Sequence, residues 1–391
     1  MVSVQEAKNR ISEKITFPKP SRVDLDHALG LILARDVYAG IDVPPFDNSA
    51  MDGYAVLLNS ETQRYRLVQY IQAGKHSNQA LHRDEAARIF TGAPVPPGAD
   101  TIVQQELARE EQGFVYFEAS QLKQGTHIRR QGSQCRKGDT LARSGQLVTP
   151  GLIALLASSG LGQVEVFLPP AAALITTGNE LKEPGSILQA GEIYNSNEAT
   201  VKAYLKKIGI KNIRAFFASD DIQVLKTKLK LALKQSDIII LTGGISVGEH
   251  DYVRQVLLEE GVQTLFYKVK QRPGKPFFAG LLNGKWIFGL PGNPASVISC
   301  FNQYVKPCIL SMMGHAHSFN PTATLPLAHA WHKEISLTTI LKAKNVNGLI
   351  HILPGQESFN LMPFADANCF VVLDENTRDL KPGELVDVYE W

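Results

Sequence analysis

Cysteine is scarce in this chain, and an excess of charge of either sign is absent. Four cysteines stand among 391 residues, Cys135, Cys300, Cys308 and Cys369. Their scatter matches no zinc-ligand spacing, so each reads as a buried thiol rather than a metal ligand or half of a disulfide. Forty basic and thirty-eight acidic residues leave a net charge of +2, too weak to hold nucleic acid or an anionic membrane surface. No apolar run reaches the ~18 residues that read as a membrane span, and the N-terminus has no signal-peptide stretch. The expectation is cytoplasmic. Internal repeats and low-complexity tracts are missing too. What remains, 44% apolar and 20% charged residues, suits a globular protein long enough for two to four domains.

The organisation changes along the chain. Val4, Ala7, Ile11 and Ile15 predict a helix over 4–15. An irregular, proline-braced stretch covers 41–56, and short β-like runs follow at 65–71, 87–91, 101–106 and 114–118, as in a small all-β unit. Thr149 and Pro150 open a helix that Gly160 closes. From Ala171 strands and helices alternate. Strands are predicted at 172–176, 212–218, 237–241, 264–267 and 285–288, and helices at 197–208, 220–235, 252–260 and 294–310. Alternation of this kind means a mostly parallel, doubly wound α/β sheet with helices on both faces. The last seventy residues lose helical periodicity and contain strands near 371–374 and 383–389.

Two glycine-rich turns carry the chemistry. Ile238-Ile239-Ile240-Leu241 runs into Thr242-Gly243-Gly244-Ile245-Ser246-Val247-Gly248-Glu249-His250-Asp251, and Trp286-Ile287-Phe288 runs into Gly289-Leu290-Pro291-Gly292-Asn293-Pro294-Ala295-Ser296. Apolar strands that stop at glycine let backbone N–H groups approach an anion at the carboxyl edge of a sheet. Between the turns lies a basic loop, Lys268 to Pro276, in which prolines and Gly274 stiffen Lys275 beside Arg272. Glu180, Asp220, Asp221, Glu249 and Asp251 follow predicted strands, so they belong at that same edge. Carboxylates beside cations there suit a phosphate bridged by a divalent cation. Capping of the next helix is the alternative for Asp220 and Asp221.

The motifs PPFDNSAMDGYAV, TGAPVPPGAD, TTGNEL, TGGISVGEHDYV, PGKP and GLPGNPAS together resemble the MoeA family of molybdopterin molybdenumtransferases, which includes the E domain of gephyrin. The resemblance runs from near the N-terminus to the C-terminal β segment. It implies molybdate insertion into adenylylated molybdopterin with release of AMP, dependence on Mg²⁺, and a homodimer. The enzyme that adenylylates molybdopterin, and molybdoenzymes, are implied partners.

In fold it implies four domains: 1–43 with 137–169, an inserted β domain over 44–136, an α/β domain over 170–314 similar to molybdopterin adenylyltransferases, and a C-terminal β-barrel over 320–391. In chemistry it implies that Thr242, Gly243, Gly244, Ser246, Gly248, Gly292, Asn293 and Ser296 hold the pterin-nucleotide. Glu180, Asp220, Asp221 and Asp251 become the metal or general-base candidates. Lys275, Arg272 and Pro276 become the oxyanion region, with Asp52 and Thr91 completing the catalytic set. Two departures stand out. The family's RRxGED is Arg129-Arg130-Gln131-Gly132-Ser133-Gln134, without its carboxylates. The counterparts of the family's molybdate-facing arginine and Gly/Ser-rich loop are Lys342 and Gln356-Glu357-Ser358, which adds a negative charge. Those departures suggest a second reading, a divergent member that binds pterin or nucleotide, or scaffolds cofactor assembly, without catalysis.

Overall fold

The computed structural model describes residues 1–62, 64–245 and 252–391, with the Gln121 side chain left aside. It divides into two compact units, Met1–Ser21 with Phe167–Trp391, and Arg22–Val166. Among the described residues no helix is long and apolar enough to cross a membrane.

The first unit begins with α1 (Val4–Ser12), capped by Ser3, whose hydroxyl accepts the Glu6 N–H. Val4, Ala7 and Ile11 form its buried stripe. The helix ends three residues before the predicted Ile15, which packs on the same core from beyond the helix.

In the second unit six strands make one sheet: β1 (Gly53–Val56), β2 (Arg64–Ile71), β3 (Glu85–Ile89), β4 (Thr101–Gln104), β5 (Arg109–Glu111) and β6 (Phe114–Tyr116), in the order β4-β1-β3-β2-β6-β5. Strand β1 lies inside the stretch expected to be irregular. Its four residues are all buried, so period-two alternation gave no sign of it. Gly53 is required there, because a Cβ would sit 1.9 Å from the Val103 carbonyl oxygen. The helix α2 (Pro150–Ser158) is capped by Thr149, whose side chain accepts the Leu152 N–H.

The core of the first unit is a six-stranded mixed sheet. In chain order it comprises β7 (Ala172–Thr177), α3 (Ser196–Lys207), β8 (Ile213–Ala218), α4 (Ile222–Gln235), β9 (Ile238–Thr242), α5 (Tyr252–Glu259), β10 (Gln263–Phe266), β11 (Phe278–Leu282) and β12 (Lys285–Leu290). The order is β8-β7-β9-β12-β11-β10; the first four strands are parallel, and β11 runs antiparallel to both its neighbours, β12 and β10. Residues of β7 and β9 alternate between two cores. Ala172, Leu174, Ile238 and Ile240 face α1 and α3, while Ala173, Ile175, Ile239 and Leu241 face α4 and α5. Burial on both faces is what makes these strands read as unbroken apolar runs. The strand β11 was not expected. Asn283 and Gly284, at φ 51° and 77°, turn it tightly into β12, the left-handed pair that a two-residue hairpin prefers.

The predicted helix 294–310 is three pieces: α6 (Pro294–Cys300), a π-helical turn at Phe301–Val305, and α7 (Lys306–Met312). Pro307 has no N–H to offer the preceding turn, which favours such a local widening. Downstream come β13 (Ala323–Pro326), β14 (Thr338–Val346), β15 (Leu349–Ile352), β16 (Cys369–Leu373) and β17 (Leu385–Glu390). They pair as β14-β16-β17-β13, with β15 on β14 and a single bridge from Leu327 to Ile350. The Gln271–Arg272 segment adds a short parallel strand to β14.

Candidate active site

Because β7, β8, β9 and β12 are parallel, their carboxyl ends share one edge. Three buried hydroxyls lie there, Thr176 and Thr177 on β7 and Thr242 on β9, and none has a hydrogen-bond partner among the described residues. Buried polar atoms are normally satisfied, and three unsatisfied hydroxyls gathered at one sheet edge depart from that rule. The turns around them are tight. Gly243 (φ 85°) and Gly244 (φ 65°) bring their chain so near β7 that a Cβ on Gly243 would lie 2.5 Å from the Thr177 carbonyl oxygen.

Carboxylates surround this edge. Glu180 follows Gly178 and Asn179, is exposed, and has no side-chain hydrogen bond among the described residues. Asp220 Oδ2 accepts the Asn179 N–H at 3.2 Å, while Asn179 Oδ1 accepts the Asp220 N–H at 3.2 Å. That exchange ties the β7 and β8 loops together. Asp221 has another task. Its Oδ1 accepts the N–H groups of Gln223 (2.7 Å) and Val224 (2.9 Å), making it the N-cap of α4. The helix therefore starts at Ile222 rather than Asp220, and neither aspartate stands in its first turn. Ser246, Gly248, Glu249 and Asp251 lie outside the described residues.

The second turn leans on the C-terminal segment. Asn293 Nδ2 donates to Ser358 Oγ (3.0 Å), and Ala295 N–H to the Ser358 carbonyl (3.1 Å). Asn197 on α3 holds the Gly292 carbonyl at 2.8 Å, and Ser296 is buried. Lys342, on β14, is buried. Its ammonium donates to the carbonyls of Gly355 (2.6 Å), Glu357 (3.1 Å) and Asn360 (2.9 Å). All three donors of that ammonium are thereby used, so Lys342 shapes the loop bearing Ser358 instead of presenting a free donor. Burial also lowers its pKa, opposed by the Glu357 carboxylate.

The basic loop is braced from below by a residue that the sequence did not single out. Gln271 is buried, and its Nε2 donates to the carbonyls of Pro273 (3.1 Å) and Gly274 (3.2 Å). Its Oε1 accepts the Tyr304 hydroxyl. Gly274 (φ 86°) has no room for a Cβ, which would meet Cys300 Sγ at 2.4 Å. On this frame Arg272 and Lys275 are exposed and Pro276 half-buried. Arg272 lines a cavity of about 250 Å³ together with Gln356 and Glu357.

In the second unit Asp52 Oδ1 accepts both the N–H (2.7 Å) and the hydroxyl (2.8 Å) of Thr91. These two bonds hold the carboxylate pKa below its ordinary value, since hydrogen bonds to the charged form favour it. Asp47 is salt-bridged to Arg130 (2.6 Å) and accepts the Gln131 N–H (2.7 Å). Gln131 Nε2 in turn donates to Asp42 (2.9 Å). The turn whose own carboxylates are replaced by Ser133 and Gln134 thus meets those of Asp42 and Asp47. Asn48 and Ser49 are buried in a short strand against Ile128–Arg129. Among the described residues, the one trio of metal-ligating atoms within 4.8 Å of one another is the exposed Asp24, Asp26 and His27; none of the carboxylates expected to bind metal belongs to it.

Comparison with known proteins decides the family. Models match in chain order: MoeA N-terminal region (domain I and II) over residues 2–160, probable molybdopterin binding domain over 173–311, and MoeA C-terminal region (domain IV) over 324–391. A molybdopterin molybdenumtransferase from Staphylococcus epidermidis is 34% identical over 400 residues, spanning 99% of this chain and 95% of its own length. One from Haemophilus influenzae is 34% identical, spanning 99% and 98%. The chain belongs to the MoeA family of molybdopterin molybdenumtransferases. A solved MoeA protein of Pyrococcus horikoshii shares 30% identity with it, at a TM-score of 0.85 over 100% of this chain and 99% of that one. A second, 24% identical with a TM-score of 0.81, shows the same fold. The family is one of transferases, and its multidomain α/β architecture is the one described above.

Proposed function

We propose that this chain transfers molybdenum from molybdate to adenylylated molybdopterin, with release of AMP. The observation that carries the reading is the sheet edge where the hydroxyls of Thr176, Thr177 and Thr242, without partners among the described residues, adjoin two positive-φ glycines at the strand end that leads to Glu180. Backbone N–H groups and hydroxyls at such an edge bind the anionic linkage of a nucleotide.

A divalent cation fits these residues. Mg²⁺ commonly takes one or two carboxylates and completes its shell with water and substrate phosphates. Among the described residues Glu180 has no side-chain partner and Asp220 keeps acceptor capacity beyond its bond to Asn179; these two would hold the ion, with Asp251 as a further candidate. Bound there, Mg²⁺ neutralises charge on the phosphoanhydride. Thr242, Gly243, Gly244, Ser246, Gly248, Gly292, Asn293 and Ser296 orient the pterin-nucleotide. Arg272, Lys275 and Pro276 receive the oxyanion, on the rigid floor that Gln271 provides. Ser358, steadied by Asn293, faces the same ligand, and Asp52 and Thr91 in the second unit are the remaining catalytic candidates.

In the same reading the four domains are 1–43 with 137–169, 44–136, 170–314 and 320–391. The last is a barrel, a view supported by the Leu327–Ile350 bridge between β15 and the end of β13. The active species is a cytoplasmic homodimer. Its partners are the enzyme that adenylylates molybdopterin and the molybdoenzymes that receive the product.

The test is molybdate-dependent AMP release from adenylylated molybdopterin by the purified protein with Mg²⁺. Release should fall to background with EDTA and return with added Mg²⁺. Absence of molybdate-dependent AMP with Mg²⁺ present refutes the reading and leaves the non-catalytic alternative.

A further inference from the structure

Arg88, on β3 of the second unit, is a guanidinium fixed by four contacts. Register sets it directly opposite Tyr54 of β1. Its central carbon lies 4.9 Å from the centre of the Tyr54 ring and 5.1 Å from that of Phe90. Tyr54 is buried, and its hydroxyl donates to Glu110 at 2.9 Å, so this ring is itself held. Arg88 Nη1 donates to the Gly53 carbonyl (3.2 Å) and Nη2 to Gln105 Oε1 (2.5 Å). Both acceptors flank Asp52. Gly53 follows it in the chain, and the Gln105 N–H donates to the Asp52 carbonyl at 3.1 Å. Gln105 Nε2 also donates to Glu106 Oε1 at 3.0 Å. One cation thus fastens the chain on either side of the Asp52 carboxylate, and among the described residues it forms no ion pair of its own.

We infer that Arg88 is a positioning residue for the Asp52 carboxylate, which it holds in place through Gly53 and Gln105 without bonding to it. The inference rests on the reading given above that Asp52 takes part in molybdenum transfer. Three features favour it over a brace that serves the sheet alone. A planar guanidinium stacked on aromatic faces and forked to two acceptors keeps little freedom of its own. Its fork ends on neutral acceptors, so the carboxylate is left open: Thr91 takes only Asp52 Oδ1, and Oδ2 has no hydrogen bond among the described residues. Its charge also reaches both nearby carboxylates. The Thr91 bonds, then Arg88, hold Asp52 below its usual range; the Gln105 bond does the same for Glu106, with Asp52 opposing and Arg88 assisting. Fixed placement matters because a shift of about 1 Å in a reacting group can cost roughly a hundredfold in rate.

The experiment measures kcat and KM for molybdate-dependent AMP release, with Mg²⁺, by the full-length parent, Arg88→Met, Arg88→Lys, Gln105→Leu, Asp52→Asn and the Arg88→Met/Asp52→Asn double variant. Arg88→Met should lower kcat by roughly ten- to a hundredfold and leave KM within about twofold. Arg88→Lys keeps the charge but loses the planar fork, and should stay within about threefold of Arg88→Met. In the Asp52→Asn background Arg88→Met should cost less than about twofold more, because both changes act through one group. Gln105→Leu removes one anchor at an exposed position and should lower kcat by about three- to tenfold; it carries the test if Arg88→Met does not fold. Parental kcat in Arg88→Met or Gln105→Leu overturns the assignment, as does a change confined to KM or a full multiplicative loss in the double variant. Parental turnover by Asp52→Asn removes Asp52 from the reaction and overturns the assignment with it. Absence of AMP release by the parent overturns the transferase reading itself, together with the role of Arg88.

Discussion

Lys8 offers a prediction that can be worked through from its surroundings. Its ammonium, on α1, is buried and donates to the Tyr389 hydroxyl at 3.0 Å, lying 4.2 Å from that ring's centre. A weaker bond reaches the Phe319 carbonyl at 3.4 Å. Burial lowers the pKa from 10.5 to about 8, against the pull of the Asp387 carboxylate. The folded state therefore binds fewer protons than the unfolded chain between those two values, so stability rises with pH across that window. Below pH 8 both states carry the charge and the folded state bears its full desolvation cost. At one pKa unit per ~1.4 kcal/mol, the rise between pH 7 and pH 9.5 amounts to about 2 kcal/mol. Tyr389, raised to about 12 by burial and by Asp387, works in the opposite direction only above the ordinary tyrosine pKa of 10. The measurement is urea unfolding of the parent and Lys8→Met at pH 7, 8, 9 and 9.5. The parent should gain about 2 kcal/mol relative to Lys8→Met over that range. A difference constant within about 0.5 kcal/mol would refute the burial argument.

Two further substitutions test the candidate site. Lys342→Ala leaves three carbonyls of the Gly355–Asn360 loop without their donor and should cost about 3–5 kcal/mol in urea unfolding; a loss below about 1 kcal/mol would mean the carbonyls find water instead. Gly243→Ala places a methyl against the Thr177 carbonyl in a left-handed conformation, a strain of about 1–3 kcal/mol. It should slow AMP release by about tenfold or more while the circular dichroism spectrum stays unchanged, and parental turnover would show that the turn does not approach the ligand.

Legibility followed the physics of each segment. Strands β7 and β9 were readable because burial on both faces leaves no polar interruption, and α4 because its buried leucines recur at helical spacing. The same two-sided burial hid β1, whose Gly-Tyr-Ala-Val is too short to stand out beside a polar loop. The hairpins β11–β12 and β14–β15 turn on Asn283-Gly284 and Asn347-Gly348, both left-handed pairs. An Asn-Gly pair between apolar runs is the sequence signal for such a hairpin. At the sheet edge, the tight turn of Gly243 and Gly244 was visible because glycine directly after an apolar strand marks a left-handed turn. Gln271 was not, since a glutamine inside a basic loop looks solvated until its burial is known.

The sequence by itself determined the chemistry on offer: glycine turns after apolar strands, a stiffened cationic loop, carboxylates at strand ends, and the motif set that marks the family. Those are local properties, carried by φ angles and side-chain charge. Only the tertiary structure decided how each group is employed. Asp221 became a helix cap and Asp220 a link between loops because α4 begins at Ile222. Lys342 became a loop fastener because three carbonyls surround it. Partners distant in sequence compete for the same donors and acceptors, and which of them wins depends on distances that no local pattern contains.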